Sequence, residues 1–144
     1  MSSFYDAWEH ETSAQREERQ LTRIRRMLES GYEASPRLRR TLDEQGLRPI
    51  HFERIEDLQR LPVVSRESLI QWELDEPPYG GLADPDARVD RIFVSPGPVY
   101  EPHLGEGDFL WARAYHAAGI GPGDRVLNAF SYHLVAAGLT FHAG

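Results

Sequence analysis

Few residues of this sequence could do chemistry, and they are unevenly placed. It has six histidines and no cysteine, which removes disulfides, thiolate zinc sites and cysteine nucleophiles together. No two of His10, His51, His103, His116, His133 and His142 have the close spacing of zinc ligands. Ser131 lies outside any G-x-S-x-G elbow, so a hydrolase nucleophile finds no support. Two stretches remain. In Phe130-Ser131-Tyr132-His133 an imidazole sits among aromatics, either as a satisfied core histidine after a strand or as a pocket group. In Ser95-Pro96-Gly97-Pro98-Val99-Tyr100-Glu101-Pro102 three prolines and a glycine surround one acid. On residue type alone that run is a structural proline turn capped by an exposed carboxylate.

The elements that must position these residues can be read from periodicity. Leu21, Ile24, Met27 and Leu28 recur at helical spacing over Ser13 to Ser30, with Gly31 as the stop signal. A second helix is expected from Pro36 to Gln45, with Leu38 and Leu42 inward and Gly46 ending it. The pair forms a helical hairpin. Glu53 to Leu61 is a short amphipathic turn closed by Pro62. Ser65 is the expected N-cap of a helix through Trp72. Glu73 to Val89, rich in Pro and Gly, is read as a loop that wraps rather than packs.

Beyond it, Arg91 to Val94 is a β-rich run and Ser95 to Pro102 a turn-rich one. A helix is expected over Gly107 to Ala118 with Phe109, Leu110, Ala114 and Ala117 inward. Arg125 to Ala129 reads as a buried strand, and Leu134 to Ala143 as the start of a further helix. Strand, helix, strand, helix implies a right-handed βαβ unit. The expected class is α/β, organised as a helical segment over 1–90 with its wrapping loop and the start of an α/β subdomain over 91–144. One crossover does not complete a parallel sheet, so the sequence reads like the front of a larger domain.

Composition narrows the partners. The 144 residues carry 16 arginines, no lysine, and 23 acids, for a net charge of −7. Residues 1–60 are nearly neutral and the rest is acidic, which argues against nucleic acid, since phosphate backbones require a basic stripe. Arginines and acids interleave at helical spacing on the first helix, as on a solvated face. Trp8, Trp72 and Trp111 are read as packing anchors. No apolar run reaches signal-peptide or membrane-spanning length. A cytoplasmic protein without membrane association is expected.

The order of motifs resembles the amino-terminal part of the phenylacetate-CoA ligase family, within the adenylate-forming acyl-CoA synthetases. Four stretches carry the resemblance. Ser35-Pro36-Arg37-Leu38-Arg39-Arg40 with Gly46-Leu47-Arg48-Pro49 is similar to the family's early helix and its exit. Ile55 through Arg66, containing Leu61-Pro62 and Ser65-Arg66, is similar to a family segment with lysine at the position of Arg66. Ser95 to Pro102 sits where the family has a Ser/Thr/Gly-rich phosphate loop ending in Gly-Lys-Pro. Gly119-Ile120-Gly121-Pro122-Gly123-Asp124, with Phe130 to His133 and Gly138, resembles the family's GxxPGD turn, strand and aromatic substrate segment.

The resemblance implies an AMP-forming ligase that joins a carboxylic acid, aromatic or other, to CoA, with ATP consumed, magnesium as cofactor and CoA as co-substrate. It makes Ser95, Gly97, Tyr100, Glu101 and Pro102 cofactor-binding residues, and Phe130, Tyr132, His133 and Gly138 substrate-binding residues that could stack on an aromatic acid. No residue is assigned as catalytic, and none as a metal ligand. The third stretch departs from the family pattern. Pro98 and Val99 stand where hydroxyls are expected, Tyr100 at a glycine, and Glu101 at the lysine. An acid there turns attraction for a phosphate into repulsion, on the order of 4 kcal/mol for charges about 4 Å apart near a protein surface. Glu101 could instead hold magnesium, a hard cation that prefers carboxylate oxygens. The family's adenine and ribose contacts, acidic magnesium ligand and lid lysine are expected beyond Gly144. The chain is therefore expected to be inactive alone, with the remainder of a ligase or a second copy as partner. The alternative is a non-catalytic binding module built on the same scaffold.

Overall fold

The structure, a computed structural model, describes residues 4–105 and 110–144. Helix α1 runs over Ser13–Ala34 and opens on a capping box. The Thr12 hydroxyl accepts from the Gln15 N–H, and the Gln15 side chain accepts from the Thr12 N–H. Gly31 does not stop the helix. A Cβ there would come within 2.6 Å of the Leu38 side chain, so the glycine admits the close approach of the next helix. Met27 faces outward, and Leu28 is the buried member of the stripe.

Helix α2 covers Pro36–Glu44, with Ser35 capping Leu38 N–H. It ends in a Schellman turn. Gly46 has φ +63°, its N–H donates to Asp43, and Leu47 N–H donates to the Leu42 carbonyl. That turn folds Leu47 back onto Leu42. With Leu28 and Phe52 they form a buried cluster, against which Ile24, Tyr32, Leu38, Leu58 and Leu61 pack. Two 3₁₀ turns, Pro49–His51 and Ile55–Arg60, carry Phe52 and Leu58 into place. Arg25 Nε caps the Phe52 carbonyl at 2.8 Å.

Helix α3, Arg66–Asp75, starts on the Ser65 cap as expected and runs one turn past Trp72. The segment after it packs rather than merely wraps. Arg37 stacks over the Trp72 ring at 4.7 Å, donates to Glu76 and Gly80, and with Ser35 fixes Gly81. Gly80, buried at φ +63°, leaves no space for a Cβ beside Trp72.

Strands β1, Arg91–Ser95, and β2, Val99–His103, form an antiparallel hairpin in which Ser95 faces Val99. The run read as only turn-rich is therefore half strand. Three residues join the strands, too few for the crossover a parallel pair needs. Helix α4, Leu110–Ala117, lies within the expected helix, of which Phe109 falls outside the described residues. Ala114 and Ala117 are exposed rather than inward, because α4 meets α5, Ala137–Ala143, through Trp111 and Tyr115. The Tyr115 hydroxyl donates to the Phe141 carbonyl at 2.7 Å.

Arg125 to Ala129 is not a buried strand. It is largely exposed and carries no ladder, with Leu127 at 91% exposure. A strand exists only through its neighbour's hydrogen bonds, and none lies alongside it among the described residues. The α/β class and the helical hairpin hold, with a two-stranded sheet as the described β part. No described helix is long and apolar enough to cross a membrane.

Candidate phosphate and acyl site

The hairpin tip gathers the first group of site residues. Ser95 closes β1 and Gly97 sits at the tip with φ +111°, a value only glycine takes without strain. Tyr100 is exposed on β2, and so is Glu101, which pairs across the ladder with Phe93. Pro102 pairs with Ile92.

Two side chains of α3 brace this tip, and sequence reasoning gave neither of them a role there. Arg66 Nη2 donates to the Ser95 hydroxyl at 3.0 Å and also to the Pro96 carbonyl. Its Nε would lie 2.9 Å from a Cβ at Gly97. The buried Glu73 carboxylate accepts the Tyr100 backbone N–H. Glu67, next in sequence to Arg66, is held below the usual carboxylate range, first by its own backbone N–H, then by the Ser65 hydroxyl. His103, at the far end of β2, sets its ring edge-on to Phe93, and its Nδ1 is buried without a partner among the described residues.

The second group lies in the segment before α5. One backbone bond, Val94 N–H to the Leu134 carbonyl at 2.9 Å, ties that segment to the hairpin. Phe130 packs against Phe141 with centroids 4.7 Å apart and the rings tilted by 44°, and Trp111 meets the same ring edge-on. The Tyr132 hydroxyl bridges His142 Nδ1 and Asn128 Nδ2, each at 3.1 Å. His133 Nδ1 accepts the Val135 N–H, which makes it a local turn cap. Gly138 is buried directly under the Ser131 carbonyl, where a Cβ would collide with backbone. Phe130, Tyr132 and His133 are all exposed, so they form an open surface. A cleft of about 580 Å³ adjoins it, lined in part by Tyr5, Tyr115, Ile120, Val126, Phe141 and His142.

No three acidic or imidazole side chains converge on a metal position among the described residues. Glu101 alone is not a magnesium cage, which takes several oxygen ligands. These residues do not supply a resident metal site.

The backbone belongs to a recognisable class. It superposes on the crystal structure of 2-hydroxyisobutyryl-CoA ligase in the postadenylation state in complex with 2-HIB-AMP, with a TM-score of 0.77 and 27% identity over 91% of this chain and 29% of that one. The same ligase with 2-HIB-AMP and CoA in the thioesterification state matches with a TM-score of 0.75 and 25% identity, over 92% of this chain and 30% of that one. The class is that of the AMP-forming CoA ligases.

Sequence comparison makes the assignment narrower. The phenylacetate-coenzyme A ligase of Thermus thermophilus is 35% identical over 130 residues, 85% of this chain and 28% of that protein. The Escherichia coli enzyme of the same name is 31% identical over 133 residues, 87% of this chain and 30% of that protein. Over the stretch it spans, the chain belongs to the phenylacetate-CoA ligase family. It spans about 30% of the length of these relatives. No family model matches it.

Proposed function

We propose that these residues form the phosphate and acyl portion of an AMP-forming acyl-CoA ligase that acts on an aromatic or other small carboxylic acid. The observation that carries the reading is the Val94 to Leu134 backbone bond. It sets the hairpin tip beside the aromatic segment, so one end of an acyl adenylate can lie against each. The backbone match to a ligase that holds 2-HIB-AMP supports the same placement. In this reaction a carboxylate oxygen attacks the α-phosphorus of ATP and pyrophosphate leaves. The CoA thiolate then attacks the acyl carbon and AMP leaves. Ser95 and Gly97 would face the phosphates, and Phe130 and Tyr132 the acid, whose ring they would meet by stacking. Magnesium would arrive on the triphosphate, because the described residues offer no cage for it.

A second reading, a non-catalytic module on the same scaffold, is favoured by the tip's shortage of amide donors. Pro96 and Pro98 have none, and Tyr100 spends its N–H on Glu73. A chimera separates the two readings, with this chain replacing the matching stretch of the Thermus thermophilus ligase. Acid-dependent pyrophosphate release from ATP, with phenylacetate as probe, supports the ligase reading. A folded but silent chimera supports the module. This chain by itself is expected to release no pyrophosphate.

A further inference from the structure

We propose that Arg66 is the phosphate-contacting cation of the hairpin tip, reaching from α3 to supply the positive charge that the loop's own sequence lacks. The inference rests on the ligase reading of that tip and names a residue that reading did not include. Residues 95–102 contain no lysine or arginine, and Glu101 adds a negative charge. A polyphosphate approaching Ser95 and Gly97 would therefore meet no attraction from the loop itself.

Arg66 changes that balance. It is exposed, yet its guanidinium is held against the tip by the Ser95 hydroxyl and the Pro96 carbonyl. Only Nη2 makes those two bonds, and a guanidinium has five N–H donors in a planar fork. No carboxylate lies within 4.0 Å of Arg66 among the described ion pairs, unlike Arg37 and Arg40, which pair with Glu76, and its sequence neighbour Glu67 feels its charge without contacting it. An anchored guanidinium with no contacting carboxylate suits phosphate, since its fork matches two phosphate oxygens and little side-chain freedom remains to be lost. Gly97 fits the same account. A side chain there would strike Nε, so the glycine leaves room for the guanidinium as well as for the turn.

Calorimetric titration of the full chain with magnesium ATP and with AMP tests this, on the native chain, Arg66→Ala, Arg66→Lys and Gly97→Ala. The native chain is expected to bind ATP, and Arg66→Ala to weaken it about ten- to a hundredfold, the range of a charge-assisted bond. AMP should be affected much less. Arg66→Lys should recover part of the loss, and Gly97→Ala should mimic Arg66→Ala with the arginine still present. Unchanged circular dichroism would establish that the variants are folded. Equal or tighter ATP binding by Arg66→Ala overturns the proposal, the tighter case meaning that Arg66 plugs the tip. If the native chain binds neither nucleotide, the reading of the tip as a phosphate site fails, and the role of Arg66 with it.

Discussion

The Glu73 carboxylate holds the Tyr100 backbone N–H with both of its oxygens at 3.0 Å. Glu73 is only 7% exposed, so this contact joins the end of α3 to the start of β2 away from water. Arg66, at the other end of the same helix, meets the tip from the β1 side, at Ser95 and Pro96. The tip is thus clamped by one helix at two points. The Tyr100 amide, in the group that the resemblance places in cofactor binding, is thus committed to this clamp.

Removing that acceptor should loosen the hairpin. Glu73→Ala strands a buried N–H, which costs about 1–3 kcal/mol, and Glu73→Gln, which keeps an acceptor oxygen, should cost clearly less. Urea unfolding midpoints give the comparison, and exchange of the Tyr100 amide locates it. Equal midpoints for Glu73→Ala and the native chain would remove the clamp from the account.

Acid should weaken the α2 to α3 staple. The Arg40 hydrogen bond holds the Glu76 carboxyl below its usual range, with the charges of Arg37 and Arg40 adding to it. A depressed folded-state value means that the stabilisation is complete above the unfolded value, about 4.3, and is lost as pH falls through the folded one. The native chain should therefore exceed Glu76→Gln in urea midpoint at pH 7, and the gap should close at acidic pH. A gap that stays constant down to pH 3 would mean that the carboxylate's charge contributes nothing.

The amino-terminal segment is held by cations on an aromatic ring. Arg19 and Arg113 stand 4.4 and 4.8 Å from the Trp8 ring centre, while Asp6 pairs with Arg113 and Glu11 with Arg19 at 2.7 Å. Trp8 is 43% exposed, so each such contact is worth about 0.5–1 kcal/mol. Trp8→Ala should expose residues 4–12 to limited proteolysis with little change in the global unfolding midpoint. A large global loss with unchanged cleavage would instead make Trp8 a core residue.

Local chemistry was legible in the sequence and long-range chemistry was not. The Ser35 and Ser65 caps and the Gly46 turn act within a few residues, so residue type alone revealed them. Gly31 has the residue type of a helix stop, but its reason lies across the interface with Leu38. Strand β2 was hidden by Pro98 and Pro102, which break the usual strand pattern although the ladder tolerates them at the turn and at an edge. Arg125 to Ala129 has the composition of a strand, but composition does not provide a neighbour. Among the site residues, Gly138 was found as a motif member, while Arg66 and Glu73 at the tip depend on contacts 27 to 30 residues apart.

Gly138 offers the sharpest test of how the aromatic segment is held. It is buried on α5 with the Ser131 carbonyl directly over it, and Asn128 Nδ2 donates to its own carbonyl at 2.8 Å. Alanine normally favours a helix over glycine by about 1 kcal/mol. Here the new methyl must displace backbone, and overpacking of that kind costs about 1–3 kcal/mol. Gly138→Ala should therefore destabilise, despite its better propensity, and should separate Phe141 from Phe130 and Trp111. Trp111 fluorescence and amide exchange across Ala137–Ala143 would report the change. A rise in the unfolding midpoint would show that α5 is free to move away from Ser131, and the packing of Phe141 against Phe130 and Trp111 would not depend on Gly138.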